Sequence, residues 1–340
     1  LKVISQPMSS QQVGHPGTAS AIFPCQDLVS IRDLGATEIN SLFSLAARLK
    51  SHPADFRTAL TGKHVAMFFE KPSLRTRLTF EAGVAGLGGS ISFVDQTSGR
   101  LDARETLSDI AHNLERWVSG IVLRTFAHST VQGMASYARV PVINALSDLE
   151  HPCQALADYF TLQQRFGNLK KLSLAYVGDG NNVAHSLLLT AASIGSTIRI
   201  ATPQGYGPDG KIVADAKEIA RHTGATIELL TDPHEAVAGA DAIYTDAWTS
   251  MGHEQEEAER ARIFPPYQVN DALVAGAAPH AVFMHCLPAH RGEEITNEIM
   301  DSSRSVVFDQ AESRLHVQKA ILISLLGREN TRMPVRNAHA

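Results

Sequence analysis

Five short clusters in this chain gather groups that can hold an anion, polarise a carbonyl or handle a proton. The first is Ser73-Leu74-Arg75-Thr76-Arg77, directly after Pro72. Ser73 is a good helix N-cap, and the turn behind it would carry free backbone N–H groups at the positive end of the helix dipole. Hydroxyls and guanidiniums added to that turn make a site for a small anion, phosphate above all. The plainer alternative is a surface helix with solvated arginines. The second cluster is His151-Pro152-Cys153-Gln154. His151 can polarise a carbonyl and Gln154 can donate and accept, against the reading of His151 as a simple cap. Gly178-Asp179-Gly180-Asn181-Asn182 is the third. It would follow a strand and open a helix as a dinucleotide loop does, which makes a dehydrogenase the alternative from another class. Val183, however, stands where the third glycine of that fingerprint belongs. A structural asparagine turn and a set of amide donors for another ligand are the competing readings. The fourth, Asp246-Ala247-Trp248-Thr249-Ser250-Met251-Gly252, joins an anion, a hydroxyl and a glycine hinge, as a mobile substrate loop would. The fifth, His285-Cys286-Leu287-Pro288-Ala289-His290-Arg291-Gly292, sets a thiol between a histidine and a proline-bounded turn, where it is either reactive or merely buried.

Each cluster needs an element to aim it. Residues 65–69 are an unbroken apolar run, the pattern of a strand covered on both faces. Pro72 ends it, and the helix from Ser73 has Leu74, Leu78, Ala82 and Ala85 as its apolar positions, widened by Phe80, Val84 and Leu87. Thr37 caps an earlier helix with Ile39, Leu42, Phe43, Leu45, Ala46 and Leu49 on its inner side. Further strands are expected at 90–94, 120–126 and 140–145, with helices at 104–118, 130–138 and 151–166. A second alternation follows, with strands at 172–177, 197–201, 226–230, 242–245 and 282–285 and helices at 183–194 and 213–222. Residues 254–262 are a charge-rich helix or loop, and 315–326 a closing apolar helix. Strand–helix alternation implies parallel sheets with right-handed crossovers. All five clusters then fall at strand C-termini, where open α/β sheets collect ligands into one cleft.

The chain has 340 residues, enough for two domains. Its formal net charge of −5 offers no global field for nucleic acid or an anionic membrane surface, so the cationic cluster at Arg75 reads as a small-anion site in an acidic protein. The cysteines are Cys25, Cys153 and Cys286. An odd, sparse set argues for a reducing compartment, so a cytoplasmic protein is expected, and no spacing suits a disulfide framework or a zinc site. No apolar run is long enough to span a bilayer. Residues 1–22 are rich in Ser, Gln, Gly and Pro and read as a flexible tail rather than a secretion signal, with Met8 the expected natural start. Residues 328–340 read as a polar tail.

The set of SLRTR, RTF at Arg124-Thr125-Phe126, HPCQ, GDGNN, DAWTSMG and HCLPAHRG resembles the aspartate/ornithine carbamoyltransferases, and the SMG and HCLP elements resemble the ornithine branch. The resemblance runs from about Cys25 to about Leu326. It implies two parallel-sheet α/β domains joined by helices, a carbamoyl-phosphate domain at 23–152 and an ornithine domain at 153–310, with a C-terminal helix at 311–327 packing back on the first domain. It implies carbamoyl transfer from carbamoyl phosphate to the δ-amine of L-ornithine, giving L-citrulline and phosphate in arginine metabolism, with no metal or organic cofactor. A homotrimer with sites at subunit interfaces is implied as well. By resemblance, Ser73, Leu74, Arg75 and Thr76 bind phosphate, Arg124 bridges phosphate and carbonyl, and Thr76 and His151 hold that carbonyl. Gln154 holds the carbamoyl amide. Asn182, Asp246, Ser250 and Met251 hold the amino-acid end of ornithine. Cys286 lies beside the attacking amine, Leu287 offers a backbone carbonyl ahead of a cis Leu287–Pro288 bond, and Arg314 completes the site. Arg124, His151 and Cys286 are the expected catalytic groups. Leu74 stands where the family often has Thr, and Arg100 where it usually has Gln or His reaching a neighbouring subunit. Sister enzymes acting on acylated ornithines or putrescine, and a non-catalytic binding protein, are the alternatives. The complete SMG set speaks against putrescine, which lacks the groups that Asn182 and Asp246 would hold.

Overall fold

The computed structural model describes residues 25–95, 101, 103–249 and 254–327. It contains two parallel α/β units. In the first, helix α1 (Ala36–Ser51) precedes β1 (His64–Phe69), α2 (Leu74–Gly86), β2 (Ser90–Asp95), α3 (Leu107–Trp117), β3 (Gly120–Arg124), α4 (His128–Tyr137) and β4 (Val142–Leu146). The strands lie in the order β2-β1-β3-β4, all parallel. Helix α5 (Pro152–Phe166) leads into the second unit: β5 (Ser173–Val177), α6 (Asn182–Ile194), β6 (Thr197–Ala201), α7 (Gly210–Thr223), β7 (Thr226–Leu230), α8 (Pro233–Val237) and β8 (Ala242–Thr245). It continues through α9 (Glu257–Ile263), α10 (Asp271–Val274), β9 (Val282–His285) and α11 (Asn297–Met300) to the closing α12 (Val307–Leu326). Its sheet runs β7-β6-β5-β8-β9, again parallel.

Both sheets reverse direction of winding once, between β1 and β3 in the first and between β5 and β8 in the second. Such switch points leave a crevice at the strand C-termini, because the connecting helices depart to opposite faces. Strands β3 and β4 are buried throughout and β1 at all but its first residue, as their apolar runs require. Register then places the clusters. Phe69 pairs with Arg124, so the turn after β1 lies beside the end of β3. Thr245 pairs with His285, so Asp246 and Cys286 emerge side by side.

Two elements differ from the sequence reading. On α2 the outward residues are Leu74 and Leu78, 69% and 52% exposed, together with Ala82 and Ala85, while Thr76, Phe80, Gly83 and Val84 face inward. The partner decides this. Helix α12 packs on α2 so closely that a Cβ on Gly83 would meet Lys319 Cγ at 3.5 Å, and only the face carrying Thr76 and Gly83 admits that approach. Helix α12 itself starts at Val307, about two turns before residue 315. Its first turns carry Gln310, Ser313 and Arg314, buried polar residues that a search for apolar periodicity passes over. It packs on α1, α2 and α5, tying the end of the chain to the first unit. The expected boundaries near 152 and 310 therefore fall within α5 and α12, the two helices that join the units.

Candidate active site

Ser73 caps α2, its Oγ accepting the N–H of Thr76 at 3.3 Å. The turn before it is held by Glu70, a buried carboxylate that accepts the N–H groups of Leu101 and Phe126, each at 2.8 Å. Thr76 is buried, and its hydroxyl accepts Nη2 of Arg314 at 2.5 Å. Arg124, at the end of β3, is buried with its Nε unpartnered. Burial, then the neighbouring Arg314, push its pKa down to about 9. Arg314 is lowered too, by burial first and by Arg75 among its neighbours. Among the described residues none of these three arginines forms an ion pair. A cluster of cations, two of them buried, without a counter-ion within ion-pair distance is unstable by itself and is relieved by a polyvalent anion.

His151 and Gln154 face the same cluster. His151 occupies the cap position of α5, its N–H given to Ser186 Oγ at 2.9 Å and its Nδ1 without a partner. Burial, then Arg314 and Arg124, hold its pKa well below the usual histidine value, so it is a neutral imidazole with one N–H to donate. Gln154 gives its NH2 to Asp158 Oδ1 at 2.7 Å, and its Oε1 is buried without a partner. Unpartnered atoms on Arg124, Arg314, His151 and Gln154 thus gather in one place, and buried polar atoms without partners mark a missing ligand far more often than a defect.

The second cluster lies across the cleft. Cys286 donates its thiol hydrogen to Asp246 Oδ1 at 2.9 Å, while Asn181 Nδ2 reaches Asp246 Oδ2 at 2.9 Å. Burial first, and Asp246 next, push the Cys286 pKa well above its ordinary value, so the sulfur carries its proton. The turn after it is shaped by His285, fully buried, which accepts the N–H of Leu287 on Nδ1 at 2.9 Å and gives Nε2–H to Glu294 at 2.9 Å. Leu287 has φ of 63°, and the Leu287–Pro288 bond is cis, as the resemblance implied.

Some expected residues are placed differently. Asn182 gives its amide to the carbonyl of Ser147 at 2.6 Å, in the loop after β4, and it is Asn181 that touches Asp246. The Leu74 side chain points to solvent, leaving only its backbone to the anion site. Ser250, Met251 and Arg100 lie outside the described residues. The glycine of the third cluster answers to packing: a Cβ on Gly180 would lie 2.3 Å from the backbone of Gly207 and Pro208. That glycine makes room for a neighbouring loop. Sequence reasoning missed Asp158, Gln310 and Glu150. Only Asp158 left a trace, four residues after Gln154 on the same helix face.

Residues 26–164 match the family described as aspartate/ornithine carbamoyltransferase, carbamoyl-P binding domain, and residues 170–325 match its Asp/Orn binding domain. The chain is 50% identical over 297 residues to the ornithine carbamoyltransferase of Shewanella oneidensis, covering 87% of this chain and 98% of that one. It is 48% identical over 304 residues to that of Thermococcus kodakarensis, covering 89% of this chain and 96% of that one. Among solved structures, ornithine carbamoyltransferase from Pyrococcus furiosus superposes with a TM-score of 0.86 at 48% identity, over 88% of this chain and 97% of that one. The matched segments are the two units whose facing strand ends carry the unpaired cations and the Asp246–Cys286 pair, and on sequence, fold and site together the chain belongs to the aspartate/ornithine carbamoyltransferase family.

Proposed function

We propose that this protein transfers the carbamoyl group of carbamoyl phosphate to the δ-amine of L-ornithine, giving L-citrulline and phosphate. The observation that carries this reading is the meeting of Arg75, Arg124 and Arg314, without carboxylate partners among the described residues, with unpartnered atoms of His151 and Gln154. Phosphate lies on the N-terminus of α2, with Ser73, Arg75 and Thr76 around it and the Leu74 backbone beneath. Arg124 and the neutral His151 donate to the carbamoyl oxygen, and the charge that develops there in the tetrahedral intermediate strengthens both contacts. The amine nitrogen adds to the carbamoyl carbon to form that intermediate, which then collapses by breaking the bond to the phosphate oxygen. The nitrogen sheds a proton in doing so. Cys286 already carries its own, so the departing phosphate, the strongest base left in the cleft, takes it up.

Asp246 favours a cationic acceptor over aspartate, whose second carboxylate it would repel. With Asn181 bonded to it and Asn182 next along the chain, and with Ser250 and Met251 in the following segment, it is assigned to the amino-acid end of ornithine. A homotrimer and a cytoplasmic role in arginine metabolism complete the proposal. No helix among the described residues is long and apolar enough to cross a membrane. Acceptor-dependent release of phosphate from carbamoyl phosphate, with ornithine, N-acetylornithine, putrescine and aspartate compared side by side, tests it. Turnover with ornithine alone supports the reading, and preference for any other acceptor overturns it.

A further inference from the structure

The side chains behind Gln154 fix which end of its amide meets the cleft. The backbone N–H of His285 is an obligate donor, and Gln310 Oε1 accepts it at 3.0 Å. Gln310 must then turn its NH2 the other way, to Asp158 Oδ1 at 2.8 Å and to the Tyr244 oxygen at 3.1 Å. That makes Asp158 Oδ1 an acceptor, and the second hydrogen it receives comes from Gln154 Nε2 at 2.7 Å. Tyr244 lies 3.0 Å from the other carboxylate oxygen. All four side chains are buried. The chain of donors starts at a peptide group that cannot reverse, so the orientation of the Gln154 amide is set from α12 and β9 rather than by Gln154 itself. Its carbonyl oxygen is the end left toward the site, buried and unpaired.

We propose that Asp158 is a positioning residue that makes the protein select a carbamoyl donor over an acyl donor. Holding the NH2 of Gln154, it presents only an acceptor to the substituent on the reacting carbon. The NH2 of carbamoyl phosphate satisfies that acceptor. The methyl of acetyl phosphate, nearly the same size, leaves it buried and unpaired. This rests on the carbamoyl-phosphate reading above. A glutamine released from Asp158 could swing its polar ends away from a methyl group to other partners, and the distinction would be lost.

The test compares affinities for carbamoyl phosphate, acetyl phosphate and inorganic phosphate in wild type, Asp158→Ala, Asp158→Asn, Gln154→Ala and the Asp158→Ala/Gln154→Ala pair. Wild type should prefer carbamoyl over acetyl phosphate by about 10- to 100-fold, the factor expected for one unsatisfied buried acceptor. Asp158→Ala should reduce that preference to within about threefold while inorganic phosphate changes by less than about twofold, because phosphate never meets the amide. Asp158→Asn should retain most of the preference: its oxygen can take both amide hydrogens and its NH2 can face Tyr244. Adding Asp158→Ala to Gln154→Ala should change the preference no further. An Asp158→Ala protein with wild-type preference, an Asn variant that behaves like Ala, or an equal loss of phosphate and carbamoyl phosphate would each overturn the assignment. Asp158→Ser carries the same expectation should the alanine variant fail to fold. Citrulline assay of the wild type runs alongside, and its failure would remove the parent reading rather than the role of Asp158.

Discussion

Replacing Arg124 by methionine should make the ligand-free protein more stable and its phosphate site useless. Arg124 is 5% exposed, ends a strand buried on both sides, and has no ion pair among the described residues. Burial and Arg314 push its pKa down to about 9, and at about 1.36 kcal/mol per pKa unit a fall of that size means roughly 4–5 kcal/mol opposing the charged form. Part of that returns when the guanidinium is lost, and exchanges of buried ion pairs for apolar side chains, the nearest comparison, return about 1–4 kcal/mol. Methionine fills similar length without a charge. At about 2 °C per kcal/mol for a chain of this size, Tm without ligand should rise by about 2–8 °C. Wild type at a phosphate concentration near 100 Kd should gain about 2.7 kcal/mol from binding, several degrees more, and the variant should gain almost none. Calorimetric scans with and without phosphate read both numbers. A variant less stable than wild type without ligand, or one that keeps the phosphate-induced rise, would refute the claim that the arginines are an uncompensated cluster awaiting an anion.

Arg75→Ala should lower turnover by about 30-fold to several thousand-fold with the fold retained, since truncating one partner of a desolvated charged contact costs roughly 2–5 kcal/mol, and Arg75→Lys should not rescue it; steady-state kinetics beside a melting curve decide. For the acceptor, kcat/KM should climb close to tenfold per pH unit between about 6 and 8, because the δ-amine of ornithine, with a pKa of about 10.4, must arrive neutral. Cys286→Ser should lower that line without changing its slope, since the thiol is held protonated throughout; a changed slope in the pH–rate profile would make the thiol a proton acceptor after all. Glu150 is buried between Ser30, Ile31 and Ser186, and burial raises its pKa to about 7. The folded state then holds a proton that the unfolded chain releases above about 4.5, so this contribution is full below that pH and fades as pH rises to about 7. Glu150→Gln should therefore flatten the fall in Tm between pH 5 and about 8, and an unchanged curve would show that Glu150 does not titrate there.

Much of the site was legible because its signals are local. An apolar run, a proline and a capping serine place Arg75 on the first turn of α2 without any knowledge of the fold, and the alternation of strands and helices then sends every cluster to the same end of its sheet. The long-range part was not legible from pattern. Thr76 meets Arg314 across 238 positions, and Gln154 takes its orientation from Gln310 through a carboxylate. Neither partner lies on an apolar stripe, so periodicity began α12 only after both of them. The misread face of α2 has the same origin. Two leucines outweighed a threonine and a glycine on any scale of hydrophobicity, yet Gly83 is what lets α12 come close, and Thr76 can receive Arg314 only from that side. The inward choice of α2 is thus a consequence of the site as much as of packing. Turning α2 to bury Leu74 and Leu78 would hide more apolar surface, but it would carry Thr76 away from Arg314 and leave a buried guanidinium without its hydroxyl. The lost contact to a desolvated charge, together with the exposure of Phe80 and Val84 that such a turn would bring, offsets the gain from the two leucines, and the helix keeps Thr76 inward and Leu74 and Leu78 outward.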